Sequence, residues 1–326
     1  MQKIVIIKLG ADGDVLRTIP LVEAIKNKYP DSNITWVTRP SISEMLVGLP
    51  FVTRVLIMPC VIDESFDFLY NFDMETEATE LAVKIDAKKK YGFYCEGNYP
   101  AAFNTGAEYY LNTVFDDALK KSNKRTYQDM MSELAEIPPS NKRYNLVLQE
   151  SEREYASRFF MQNNLDGKKV AGIHMGASAR WPSKVWHPAR LKEFIKAVHK
   201  NGYEVLLFGG PNEIEFQKKF VGELQREKIL VHHNDPKNTK REFAALVEKC
   251  GWIICSDSFA LHVALGLGKK TIALFFCTSP HEVEGYGLLH KIISPYLYDY
   301  FPERSNEYSE RLVKSISAEQ VLGEMQ

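Results

Sequence analysis

Residues 4–18 read Ile-Val-Ile-Ile-Lys-Leu-Gly-Ala-Asp-Gly-Asp-Val-Leu-Arg-Thr. An apolar, β-branched run, Ile4–Lys8, breaks at Gly10, and a helix-period segment follows over Pro20–Lys28, closed by Tyr29-Pro30. A strand that runs into glycines and then into a helix opens a βαβ unit. Such a turn often cradles the phosphates of a nucleotide, yet neither GxGxxG nor the GK[ST] of a P-loop is present here. Asp12 and Asp14 occupy the turn instead, and carboxylates repel phosphate. The turn needs another chemical purpose.

The same alternation continues along the chain. Strand candidates in the first half are Ile4–Lys8, Ile34–Thr38, Arg54–Met58, Phe66–Asn71 and Tyr91–Tyr94. In the second half they are Val170–His174, Glu204–Phe208, Leu230–His233, Trp252–Ser256 and Thr271–Phe276, separated by helical stretches Pro188–Asn201, Glu213–Glu227 and Lys240–Lys249. Strand and helix in alternation build parallel sheets, so the fold class is α/β with two Rossmann-like, doubly wound domains. The breaker-rich stretch Ile137-Pro138-Pro139-Ser140-Asn141 marks the seam, and a polar helix, Glu150–Asn163, leads into the second half. Expected domains are 1–148 and 149–326. The tail, Ser317–Met325, has helical spacing suited to either domain, including packing back on the first. Ligands of open α/β sheets sit beyond the carboxyl ends of the strands. Two such domains facing across a cleft would put the Asp12–Asp14 turn on one wall.

At 326 residues, 45% hydrophobic and 25% charged, the chain has the balance of a globular protein with room for two cores. Its formal charge of -1 argues against a nucleic-acid binder working through a general basic surface. The five cysteines, Cys60, Cys95, Cys250, Cys255 and Cys277, form no CxxC pair, which reads as free thiols in a reducing compartment. The first strand begins too early for a signal peptide, and no apolar run approaches the ~20 residues of a spanning helix. The expected location is cytoplasmic.

Three stretches of the second half carry chemistry. The turn after Val170–His174 reads HMGASARWPSKVWHPARL, in which Gly176, Ala177 and Ser178 permit close backbone approach and Arg180 and Lys184 bring cations. That suits a diphosphate, but it also describes an ordinary βα loop. In FGGPNEIEF, Glu213 and Glu215 are placed to bond a ribose diol or to act as acids at a helix N-terminus. In CSDSFALHVALGLGKKTIALFF, Asp257 and Ser258 stand at a strand end where an N-cap belongs, and His262 follows in the helix. A lone histidine is usually a core residue, yet an Asp-Ser pair just ahead of it favours a site.

Taken in order, LGADGDVLRTIPLVEAIKNKYP, HMGASARWPSKVWHPARL, FGGPNEIE, NTKREFAALVEKC and SDSFALHVALGLGKKTIALFFCTSPHEVEGYG resemble glycosyltransferase family 9, whose best-known members are the ADP-heptose:lipopolysaccharide heptosyltransferases. The resemblance spans nearly the whole chain and implies a GT-B fold, with an acceptor-side first half and a donor-side second half. It implies inverting sugar transfer from a nucleotide-sugar to a glycolipid or glycan acceptor. The nucleotide-sugar is a co-substrate, with no bound cofactor, no catalytic metal and at most peripheral membrane contact, at the inner membrane face. By motif position Asp14 is the general base, with Asp12 in reserve. Donor contacts map to the Gly176–Arg180 turn, with Gly176, Ser178 and Arg180, to the loop around Asn238, and to Asp257, Ser258 and His262; His174, Lys184, Gly210 and Glu213 join them as donor candidates at the strand-end turns. Arg17 is assigned to an acidic acceptor.

The sequence departs from the family pattern twice. Ala179 stands where members usually carry Lys immediately before an Arg/His-Trp-Pro triplet, and Phe259 stands where Gly usually follows Asp-Ser/Thr. These departures keep open a nucleotide-sugar-binding protein without catalysis. A nicotinamide oxidoreductase, suggested by the Rossmann-like halves alone, is opposed by the missing GxGxxG. Inverting transfer explains the acidic turn. A carboxylate takes the proton of the attacking hydroxyl, while N–H groups and cations elsewhere neutralise the leaving diphosphate. The helix N-cap is the plain alternative for Asp14, a solvated turn position for Asp12, and solvated faces for the runs Lys88-Lys89-Lys90 and Lys120-Lys121.

Overall fold

The computed structural model describes residues 1–139, 142–178 and 180–325. The part of the seam at Ser140 and Asn141, and the departure at Ala179, lie outside the described residues. The chain divides into two compact units, Met1–Val147 with His281–Glu284, and Leu148–Pro280 with Gly285–Gln326. The short His281–Glu284 segment, which sequence placed in the second domain, belongs to the first: Glu282 O accepts the N–H of Tyr127 at 3.0 Å.

The first unit is a six-stranded sheet of β1 (Lys3–Ile7), β2 (Asn33–Thr38), β3 (Arg54–Ile57), β4 (Phe66–Asn71), β5 (Ala87–Glu96) and β6 (Tyr99–Ala102), in the order β3-β2-β1-β4-β5-β6. All neighbours are parallel except β5 and β6. Ile4 to Ile7 are buried without alternation, as a central parallel strand covered on both faces requires. Each such side chain taken fully out of water contributes ~1.5–3 kcal/mol before the entropy of ordering it is subtracted.

Helix α1 runs Asp12–Lys28, starting eight positions ahead of the expected Pro20. Pro20 lies inside it, where the loss of one backbone bond is offset by burial of Val15, Leu16, Ile19, Leu21, Val22 and Ile25. Asp12 and Asp14 sit in its first turn and Lys26 and Lys28 in its last, matching the helix dipole at both ends. Strand β5 is longer than its apolar centre and absorbs Lys88-Lys89-Lys90. Lys88 Nζ is 2.7 Å from Asp67, Lys89 Nζ is 3.5 Å from Glu136, and Lys90 Nζ donates to the carbonyls of Ala82 and Val83. The run is three separate local pairings.

The second unit repeats the plan with β7 (Val170–His174), β8 (Glu204–Phe208), β9 (His232–His233), β10 (Trp252–Ser256), β11 (Lys270–Phe275) and β12 (Leu289–Ile293), ordered β12-β11-β10-β7-β8-β9 and parallel throughout. Numbered from its own start, this is the order of the first unit again. In each, the strand order reverses between two central strands, β1 and β4 in one and β7 and β10 in the other. The crevice beyond those carboxyl ends is where a doubly wound sheet holds its ligand.

Neither β6 nor β12 was anticipated, because each is an edge strand with mostly partial burial and no continuous apolar run. The C-terminal helix α2 (Ala318–Gly323) packs into the core of the second unit. Ala318 and Val321, with Ile316 and Met325, complete the second core against Leu191, Ile195 and Val198. That core lacked a cover there, and the apolar spacing of the tail supplies it.

Candidate active site

At the carboxyl end of β1 the opening turn is not an empty cradle. Asp73, two residues past the end of β4, points its carboxylate into it: Oδ2 accepts the N–H of Leu9 at 2.8 Å and that of Gly10, and lies 3.5 Å from Lys8 Nζ. Its other oxygen accepts the N–H of Glu75 at 3.0 Å. Burial pushes the Asp73 carboxyl up, but Lys8 and the N–H groups of Glu75, Gly10 and Leu9 outweigh it and hold the pKa below the usual carboxylate value. Burial likewise opposes the charge on Lys8, and Asp73, with Tyr127, Asp14 and Tyr110, keeps it above its ordinary range. Removing one partner from such a buried pair costs about 3–5 kcal/mol.

Asp14 follows in the first turn of α1. The N-cap is Ala11, with no side-chain capping bond, so neither aspartate is used as a cap. Asp14 Oδ1 lies 2.9 Å from the Arg17 guanidinium, with Asp14 34% and Arg17 11% exposed at their side chains. The base candidate is therefore half-open, not packed inside. Arg17 is held by more than charge: it stacks 3.9 Å over the Tyr127 ring, whose hydroxyl lies 3.0 Å from that of Thr18. Burial disfavours the Arg17 charge, and Asp14, Tyr110 and Tyr127 more than restore it. The residue assigned to an acidic acceptor thus pairs with Asp14 through one terminal nitrogen of its guanidinium. Asp12 accepts a hydrogen bond from Ser41 at 3.0 Å.

In the second unit the crevice between β7 and β10 collects Lys184, Asp257 and Ser258. Lys184 Nζ donates to the Asp257 carbonyl at 2.8 Å and to its Oδ2 at 3.1 Å, the two side chains being 12% and 19% exposed. The Ser256 hydroxyl fastens the turn by donating to the Lys184 carbonyl. Ser258 is the N-cap residue of helix α3 (Phe259–Gly266), but its hydroxyl makes no capping bond and is buried without a partner. The plain reading of Ser258 as a cap thus fails. His262 lies within α3 and is 5% exposed. His174 ends β7 with Nδ1 buried and unpartnered, and burial pushes its pKa down to about 4, so the imidazole is neutral at pH 7.

Of the other expected donor residues, Gly210, Glu213 and Asn238 bond within this unit. What approaches Gly176 closely is Glu213: a Cβ there would lie 2.4–2.8 Å from its carboxylate end. Glu213 Oε2 accepts the N–H of Gly210 at 2.9 Å, which favours its role as a helix-start acid. Asn238 donates to the Tyr155 hydroxyl at 2.6 Å and accepts from Asn234 at 3.2 Å. Ser178 and Arg180 are exposed, with Arg180 5.0 Å over Trp181. Phe259 rests against Phe243, which also packs on Phe208 and His174.

The sequence model of glycosyltransferase family 9 (heptosyltransferase) matches residues 61–313. This chain belongs to glycosyltransferase family 9. As a family 9 chain it is a glycosyltransferase, and its two Rossmann-like units are the GT-B type of α/β fold. It is 21% identical to the lipopolysaccharide core heptosyltransferase OpsX of Haemophilus influenzae, over 99% of this chain and 96% of that one. Among solved structures it is similar to the family 9 glycosyl transferase of Veillonella parvula, with a TM-score of 0.79 at 21% identity, covering 99% of this chain and 96% of that one. It is also similar to the ADP-heptose lipopolysaccharide heptosyltransferase II of Escherichia coli, with a TM-score of 0.71 at 18% identity and coverages of 99% and 97%.

Among the described residues of this family 9 chain, no group of three or more His, Cys, Asp or Glu side chains is placed to hold a metal ion. No helix among them is long and apolar enough to cross a membrane. Sequence reading missed Asp73, the partner that occupies the opening turn, and Asn234, whose amide bonds Gly209 on both its N–H and its carbonyl. The usable signal for Asp73 was an acid just past a strand end beside the central strand. For Asn234 the sequence holds no comparable sign.

Proposed function

We propose that this chain transfers a heptose, with inversion and without a metal or bound cofactor, from an ADP-linked donor to a lipopolysaccharide core or related glycan. The observation that carries the reading is the opposite chemistry of the two crevices: a half-open carboxylate beside a fixed arginine in one, a lysine with an uncapped helix start in the other. The similarity to an ADP-heptose lipopolysaccharide heptosyltransferase supports the donor and the acceptor class.

In this mechanism Asp14 accepts the proton of the acceptor hydroxyl as its oxygen attacks the anomeric carbon from the face opposite the diphosphate. The bond to the diphosphate breaks with both electrons leaving on its oxygen. Lys184, Ser258 and the first N–H groups of α3 receive that charge, and Asp257 holds Lys184 in place until they do. Lys184 thus supplies the cation that the family pattern usually places at position 179. Arg17 orients Asp14, and the enzyme works at the cytoplasmic membrane face where a lipid-linked acceptor is presented.

Two measurements test this. In a thermal-shift panel, ADP and ADP-heptose raise Tm while UDP- and GDP-sugars leave it unchanged, because a ligand that binds only the native state stabilises it. An equal response to UDP-sugars would overturn the donor assignment. Arg17→Met, which keeps the stem over Tyr127 but removes the charge, lowers kcat about tenfold to a hundredfold. A kcat within about twofold of wild type would separate Arg17 from Asp14.

A further inference from the structure

In nucleotide-binding Rossmann units the N–H groups of the first βα turn stay available for phosphate. In the first unit two of them are taken, because Asp73 Oδ2 accepts both Leu9 N–H, at 2.8 Å, and Gly10 N–H. The carboxylate lies against bare backbone: a Cβ on Gly10 would fall 3.0 Å from that oxygen and 3.3 Å from Lys8 Nζ. Asp73 is 3% exposed, and it is anchored from behind, its own N–H donating to Asn71 Oδ1 at 3.0 Å while Asn71 Nδ2 donates to the Phe93 carbonyl at 2.7 Å.

We propose that Asp73 is a positioning residue: an internal carboxylate standing where a nucleotide-binding unit would hold phosphate, and fixing the turn that presents Asp14. The link is short. Asp73 holds Leu9 and Gly10, Ala11 is the helix N-cap, and the Ala11 carbonyl accepts the N–H of Asp14 at 2.7 Å. Lys8, drawn in by Asp73, also donates to the Phe72 carbonyl at 3.2 Å and ties the turn to the end of β4. The same carboxylate closes the first unit to nucleotides, by filling the anion position and by placing negative charge there. The inference rests on the reading of Asp14 as the base.

The test is chemical rescue in the full chain, with formate as the probe. Asp73→Ala leaves a cavity lined by two N–H groups and an ammonium, a place a small carboxylate can refill. The variant loses about a hundredfold in kcat with the donor KM within about threefold of wild type. Formate raises the Tm of Asp73→Ala but not of wild type, and recovers at least about tenfold of the lost kcat. If the alanine variant does not fold, Asp73→Asn, which keeps the shape and removes the charge, carries the kcat comparison.

Wild-type turnover in Asp73→Asn or Asp73→Ala would overturn the proposal. So would formate that raises Tm while kcat stays low, since Asp73 would then serve the fold alone. The Tm response to formate does not involve Asp14. Full transfer by an Asp14 variant would therefore remove the base and leave the anion site standing, so the two failures are told apart.

Discussion

Asp14→Asn lowers transfer about a thousandfold or more and leaves ADP binding at wild-type strength. The amide keeps the size of the side chain and an oxygen that can still accept from Arg17, so the first turn of α1 keeps its geometry. What is lost is the capacity to hold the proton released by the attacking hydroxyl. The substitution takes the carboxylate away from the buried Arg17 guanidinium, so the variant loses some thermal stability, while the amide oxygen and the Tyr127 ring keep Arg17 in place. Steady-state transfer from ADP-heptose, with calorimetry on the same samples, measures both halves of the statement. Transfer within about tenfold of wild type would remove Asp14 from the chemistry, because proton transfer by a placed base contributes roughly a hundredfold to ten-thousandfold.

Lys184→Met is the second large effect, expected in the other crevice. Methionine keeps most of the stem and removes the ammonium that donates to both the carbonyl and the carboxylate of Asp257. The leaving diphosphate then meets one cation fewer, and losing one preorganised donor to developing charge costs about a hundredfold to a thousandfold in kcat. ADP binds about tenfold more weakly, a change of about 1.4 kcal/mol. Part of any loss comes from Asp257, whose side chain is only 19% exposed and is left without its cation. The double variant Lys184→Met, Asp257→Asn separates the two: it regains thermal stability and does not regain rate. A single variant with normal kcat would mean that Lys184 is only a structural partner of Asp257.

Much of the fold is legible in the sequence because central parallel strands are buried on both faces. Val170–His174, Glu204–Phe208 and Trp252–Ser256 announce themselves as short, largely apolar runs, and the structure has them with the same ends. The edges carry no such mark. Strand β6 and strand β12 are half-covered, and β5 hides three lysines that read as a solvated charge run. Pro20 misled for a different reason: proline is a reliable helix opener, and only the buried face of α1 reveals that it sits mid-helix.

At the site, Asp257 and Ser258 follow directly on a strand end, Asp14 lies in the first turn of the helix after β1, and Lys184 lies in the longer connection that leaves β7. These motif positions were legible; their partners were not. That Arg17 serves Asp14, that Glu213 covers Gly176, and that Asp73 fills the opening turn are contacts between residues distant in sequence or set by side-chain direction. Periodicity carries no information about those. The two aspartates of the opening turn posed a question about phosphate, and the structure answers it with a third carboxylate, Asp73, already seated on the turn's N–H groups.

The central claim is a division of labour, with chemistry assigned to the first unit and the nucleotide to the second. Calorimetric titration of ADP into wild type, Asp14→Asn and Lys184→Met tests it without requiring a defined acceptor. The account predicts the same Kd for wild type and Asp14→Asn, and a Kd about tenfold larger for Lys184→Met. Weakened binding in Asp14→Asn together with unchanged binding in Lys184→Met would contradict it.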